Sequence, residues 1–196
     1  MRPLTREVIQ SIILALTIFV LLGSSIQNFR VEGYSMRDTL QEGQYVIVTK
    51  VVYWHLNPKL VNSTFPFINI NENIEFFLFH SPSRGEVVIF KFPNDKKRDF
   101  VKRIIGVPGD IVEITKGIVM VNGKPLQEPY ATTGYPVTLG SVKVPKNAYY
   151  VLGDNRPVSS DSRAWGLVPA DNIVGRAWLT YWPLGQIGLV KHRGGS

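Results

Sequence analysis

The 196-residue chain has no cysteine, which excludes a disulfide framework, a thiolate zinc cluster and a thiol nucleophile. Histidine is nearly absent too: His55, His80 and His192 stand apart, with no serine or acidic motif around them. A Ser-His-Asp enzyme therefore has no visible base, and without an H-E-x-x-H pair a catalytic metal has no ligand set. No metal and no cofactor is expected. Charged residues make up only 19% against 44% hydrophobic ones, which excludes a disordered polar chain. There is no internal repeat and no low-complexity linker. What the chain does carry is a basic excess, +7, which suits nucleic acid, an anionic membrane surface or an acidic partner without choosing among them. With 17 glycines and 13 prolines it leans towards turn-rich β structure.

Charge is missing altogether between Glu7 and Arg30. As a helix, Val8 to Phe29 would reach roughly 33 Å, enough to cross a hydrocarbon core of about 30 Å. A buried core helix is one alternative. A cleaved secretory signal is another, with Arg2 and Arg6 before an apolar Ile12–Leu22 stretch and small residues at Gly23-Ser24-Ser25. The run continues past the point where such a signal should stop, which favours an anchor over residues 1–29. Arg2 and Arg6 before the span, weighed against Arg30 and Arg37 after it, favour a cytoplasmic N-terminus only weakly.

From Arg30 onward the apolar period is mostly two. Gln44–Val52, Glu86–Phe92, Phe100–Val107, Ile111–Thr115, Ile118–Val121, Ala148–Leu152 and Ile173–Tyr181 all read as strands. Asn122-Gly123 predicts a tight hairpin, and Pro108-Gly109-Asp110 a break. The expectation is a mainly β barrel or sandwich over residues 30–196, preceded by one transmembrane helix. An insertion at about 54–83 carries Trp54, Phe65, Phe67, Phe76, Phe77 and Phe79. It reads either as an extra hairpin packed on the core or as an aromatic patch at a membrane interface.

Three blocks hold candidate chemistry. The first is Val31-Glu32-Gly33-Tyr34-Ser35-Met36-Arg37-Asp38-Thr39-Leu40. The second runs from Arg84-Gly85-Glu86 to Val101-Lys102-Arg103-Ile104-Ile105-Gly106-Val107-Pro108-Gly109-Asp110. There Lys102 shares a strand face with Phe100 and Ile104, which carries its amine into an apolar layer, while Arg103 points the other way. The third is Gly153-Asp154-Asn155-Arg156-Pro157-Val158-Ser159-Ser160-Asp161-Ser162-Arg163-Ala164-Trp165-Gly166, too polar for a strand.

Together, over roughly residues 8–183, the blocks resemble the bacterial type I signal peptidases, membrane-anchored serine proteases with a Ser/Lys dyad. Ser35-Met36-Arg37-Asp38-Thr39-Leu40 is similar to the family's Ser-Met-x-Pro-Thr-Leu, and the third block matches its motif almost unchanged. The resemblance implies Ser35 as nucleophile, with its backbone N–H in the oxyanion hole, and Lys102 as general base. It implies Ser159 as the group orienting the amine. Asp161, Arg163, Met36 and Arg103 read as structural. Two positions depart from the pattern: Asp38 replaces the usual proline, which implies an unpaired carboxylate three residues from the nucleophile, and Gly33 stands where some members carry an oxyanion-hole serine.

An ordinary lysine, with a pKa near 10.4, must fall by roughly 3 units, or about 4 kcal/mol, to serve as a base at neutral pH. The resemblance further implies an extended preprotein signal peptide as substrate, with small residues at the first and third positions before the cut. Phe29, Val31 and Val101 are the candidate peptide-binding residues. The implied setting is the cell membrane, with the catalytic domain outside the cytoplasm. The implied partners are the lipid bilayer and, as a further candidate, the secretion translocon, but not nucleic acid. Two rivals remain: a catalytically impaired binding module on the same scaffold, and an SOS-repressor-like self-cleaving protein, which would need a DNA-reading helix-turn-helix where this chain has the uncharged run.

Overall fold

A computed structural model describes residues 3–53, 55–56, 62–64, 67, 76–77, 79–132 and 136–192. Helix α1, Pro3–Ser25, runs without a linker into strand β1, Ile26–Arg30. The uncharged run is thus divided, with its last residues entering the sheet. Along α1, apolar side chains such as Ile13, Leu16 and Phe19 are exposed. Over the described residues, no helix is long and apolar enough to cross a membrane. The continuous run of described side chains in α1, Arg6 to Val20, covers about 22 Å.

The main antiparallel sheet has the order β1-β2-β13-β5-β6-β11-β12, with β14 added on β13. Its strands are β2 Tyr45–Thr49, β5 Val87–Phe92, β6 Asp95–Gly106, β11 Ala148–Leu152, β12 Val168–Pro169, β13 Ile173–Trp182 and β14 Gly188–Leu189. A second sheet, β10-β7-β8-β9, combines β7 Ile111–Thr115, β8 Ile118–Val121, β9 Lys124–Pro125 and β10 Leu139–Lys143. The fold is mainly β. The β8–β9 turn falls at Asn122-Gly123, where both residues have positive φ (52° and 76°), as a tight hairpin of this type requires. From the aromatic insertion, β3 His55–Leu56 pairs with β4 Phe76–Phe77, so a two-stranded ribbon does form there. Phe67 and Phe79 are exposed, while Trp54 and Phe65 lie outside the described residues.

Period-two alternation explains where the core sits. In β2 only Val46 and Val48 are buried, and in β7 only Val112 and Ile114. Central β5 is buried on both faces: Val87 and Ile89 join one apolar cluster with Met36 and Leu40, and Val88 and Phe90 join another with Ile104. Lys102 pairs with Val88 and Phe100 with Phe90, so Lys102 lies on that second face. At the other side of β6, β11 reaches only Arg103, Ile104 and Gly106. From Asp95 to Lys102 that edge carries no strand among the described residues. The outer edge of β1 is also unpaired there.

Candidate active site

The turn holding Ser35 is built from its own apolar residues. Met36 and Leu40 are fully buried, and the backbone closes on itself where Leu40 N–H donates to Met36 O at 2.6 Å and Arg37 N–H to Tyr34 O at 3.2 Å. Both ends of the segment are fixed, since Val31 N–H donates to Gln44 O and Gly43 N–H to Val31 O. From β6, Lys102 extends to this turn. Its Nζ lies 2.6 Å from Ser35 Oγ and donates to Val101 O at 3.0 Å. The side chain is only 4% exposed, with the Phe100 ring 5.5 Å from the amine. Burial lowers the Lys102 pKa to about 8 against the smaller opposing pull of Asp161 and Asp154.

Behind the dyad lies a buried ionic frame. Arg103 is fully buried, as its opposite strand face requires, and grips Asp154 through two hydrogen bonds of 2.8 and 2.7 Å. The same guanidinium donates to Gly85 O, Lys191 O and Thr39 Oγ1, and its carbon sits 3.9 Å from the centre of the Tyr130 ring. Thr39 Oγ1 donates in turn to Asp154 Oδ2. This frame ties β6, the nucleophile turn and the third block together. The importance of Asp154, Thr39 and Tyr130 was not visible in sequence, because each partner is remote in the chain.

The third block is held by Asp161, which is buried. It accepts two side-chain hydrogen bonds from Arg163, at 2.7 and 2.8 Å, and caps the short helix α2, Ser162–Trp165. It also accepts from Gly153 N–H at 3.0 Å. Gly153 has no room for a side chain: a Cβ there would stand 2.2 Å from Ser159 Oγ and 2.6 Å from Ser35 O. Asn155 N–H donates to Ser35 O at 2.9 Å, and its amide nitrogen to Tyr34 O at 3.1 Å.

Three expectations need correction. Ser159 does not hydrogen-bond the amine: its Oγ is buried without a partner, and the amine's two hydrogen-bond acceptors are Ser35 Oγ and Val101 O. Val31 does not face a peptide, since it is 5% exposed and packs in the core with Met36 and Val48. Asp38 is not an unpaired carboxylate, because Thr132 Oγ1 donates to it. Gly33 has φ +79° and offers no hydroxyl.

A groove of about 560 Å³ opens onto the dyad. Phe29, Gly33, Tyr34, Phe100, Val101 and Val158 are among the residues that line it. A separate cavity of about 200 Å³, between Ile114, Val119, Leu126 and Arg156, does not include the dyad. Among the described residues no cluster of three His, Asp or Glu could hold a metal.

A buried lysine hydrogen-bonded to a serine on an open groove has the geometry that a nucleophile and its base require. A family model described as signal peptidase, peptidase S26, matches residues 5–182. The chain belongs to this family. It is 35% identical to signal peptidase I of Leptolyngbya laminosa, a match covering 86% of this chain and 77% of that one. It is 34% identical to signal peptidase IB of Staphylococcus aureus over 92% of this chain and 91% of that one. With a probable signal peptidase I-2 of Synechocystis it shares 42% identity over 64% of this chain and 62% of that one. As a peptidase S26 member, the chain is a serine endopeptidase.

Proposed function

We propose that the chain removes signal peptides from exported preproteins, with Ser35 as nucleophile and Lys102 as general base. The 2.6 Å contact between Lys102 Nζ and Ser35 Oγ, at an amine only 4% exposed, carries this reading. The neutral amine takes the Ser35 proton as Oγ attacks the scissile carbonyl, and Ser35 N–H stabilises the developing oxyanion. Collapse expels the mature protein's amine, which takes the proton from the Lys102 ammonium. The Lys102 amine, neutral again, then takes a proton from the water that attacks the acyl-enzyme and returns it to Ser35 Oγ as the signal peptide leaves with a free carboxylate. Ser159 fills the space beside Gly153, where a Cβ would stand 2.2 Å from its Oγ.

An extended peptide fits as an added strand between the open edges of β1 and β6, with Phe29 and Val101 lining its path. The uncharged helical part, Val8 to Ser25, covers about 27 Å. The exposed apolar side chains of this helix and the absence of a linker before β1 support a single-pass anchor with its N-terminus in the cytoplasm and the β domain outside. The +7 charge suits an anionic membrane surface.

The test is cleavage of a membrane-inserted preprotein by the wild type, Ser35→Ala and Lys102→Ala, with the new N-terminus sequenced. Cleavage after a small residue by the wild type alone is the expected result. Mutants as active as the wild type would remove the dyad.

A further inference from the structure

The nucleophile turn is closed by a ring of contacts that begins at the position where proline is usual. Asp38 Oδ2 accepts from Thr132 Oγ1. Thr132 N–H donates to Asp154 O at 2.9 Å, and the next residue, Asn155, donates its N–H to Ser35 O at 2.9 Å. Thr132 and Asn155 also form an isolated parallel bridge. Covalent chain from Ser35 to Asp38 completes the circuit. Three of its joints are hydrogen bonds, and only the Asp38–Thr132 joint is made by two side chains. A proline would stiffen the turn through its own ring. Here the turn is held from outside, by a loop more than ninety residues away.

We propose that Asp38 and Thr132 are positioning residues that, by closing this ring, keep Ser35 Oγ within reach of the Lys102 amine. The proposal rests on the dyad reading above. Neither residue lines the groove, so their effect falls on turnover and not on peptide binding. The carboxylate acts as an acceptor, so its oxygen matters and its charge does not.

The experiment measures preprotein cleavage by the full chain in detergent micelles, separating kcat from KM. Losing one such hydrogen bond in Asp38→Ala or Thr132→Val lowers kcat by about three- to tenfold and leaves KM unchanged. The double variant is no slower than the slower single one, because both changes break the same joint. Asp38→Asn and Thr132→Ser keep the acceptor and the hydroxyl and recover the wild-type kcat. An unchanged kcat in Asp38→Ala, a rise in KM alone, multiplying effects in the double variant or no recovery in the conservative ones would overturn the proposal. If Asp38→Ala fails to fold, the Thr132→Val and Thr132→Ser pair tests the same joint from its other side. A wild type that does not cleave, or a Ser35→Ala variant that does, sinks the dyad reading instead.

Discussion

Burying Lys102 makes the proposed base a burden on stability, and replacing it with methionine should expose the size of that burden. The pKa falls from an ordinary 10.5 to about 8. At 1.36 kcal/mol per unit this amounts to about 3 kcal/mol. The unfolded chain binds the proton more tightly than the folded one, so the penalty is fully present below pH 8. It declines between pH 8 and 10.5 and vanishes above. Lys102→Met removes the ionisation but also the hydrogen bonds to Ser35 and Val101, each worth about 1 kcal/mol. The variant should therefore be inactive and yet about 1 kcal/mol more stable than the wild type at pH 7. By pH 10 that advantage should have gone or reversed. Urea titrations of both full-length chains in micelles, from pH 6 to 10, measure the difference. A gap that stays constant across this range, or a variant less stable at pH 7, would refute the argument from burial.

Gly153→Ala places a methyl group 2.6 Å from Ser35 O and should cut the cleavage rate by about 100-fold or more through displacement of the nucleophile turn. Asp154→Ala leaves the Arg103 guanidinium buried without its carboxylate and should destabilise the fold by about 3–5 kcal/mol in urea titration. A loss below about 1 kcal/mol would mean that the frame is not what holds the turn.

Legibility followed the apolar period. β7 and β8 have the expected bounds because strict alternation and β-branched residues leave no other reading for Ile111–Thr115 and Ile118–Val121. The same period put Lys102 beside Phe100 and Ile104, on the face where it lies. β6 begins earlier than expected, at Asp95, because Asp95–Asp99 forms an exposed hairpin arm with no apolar face to see. β1 was hidden inside the uncharged run, whose last residues are as apolar or neutral as the helix before them. The site itself was legible as blocks but not as contacts. Arg103 finds Asp154 51 positions away, and no local pattern announces such a partner. Val31 alternates into the core instead of the groove because the chain leaves β1 and turns inward towards Met36.

The most direct test of a lysine base is the pH dependence of kcat/KM for preprotein cleavage by the wild type. With the Lys102 pKa lowered to about 8, the rate should rise through a half-maximum near pH 8 and level off above it. A half-maximum near pH 6.5, as for an ordinary histidine, or a flat profile across pH 6 to 9 would contradict it.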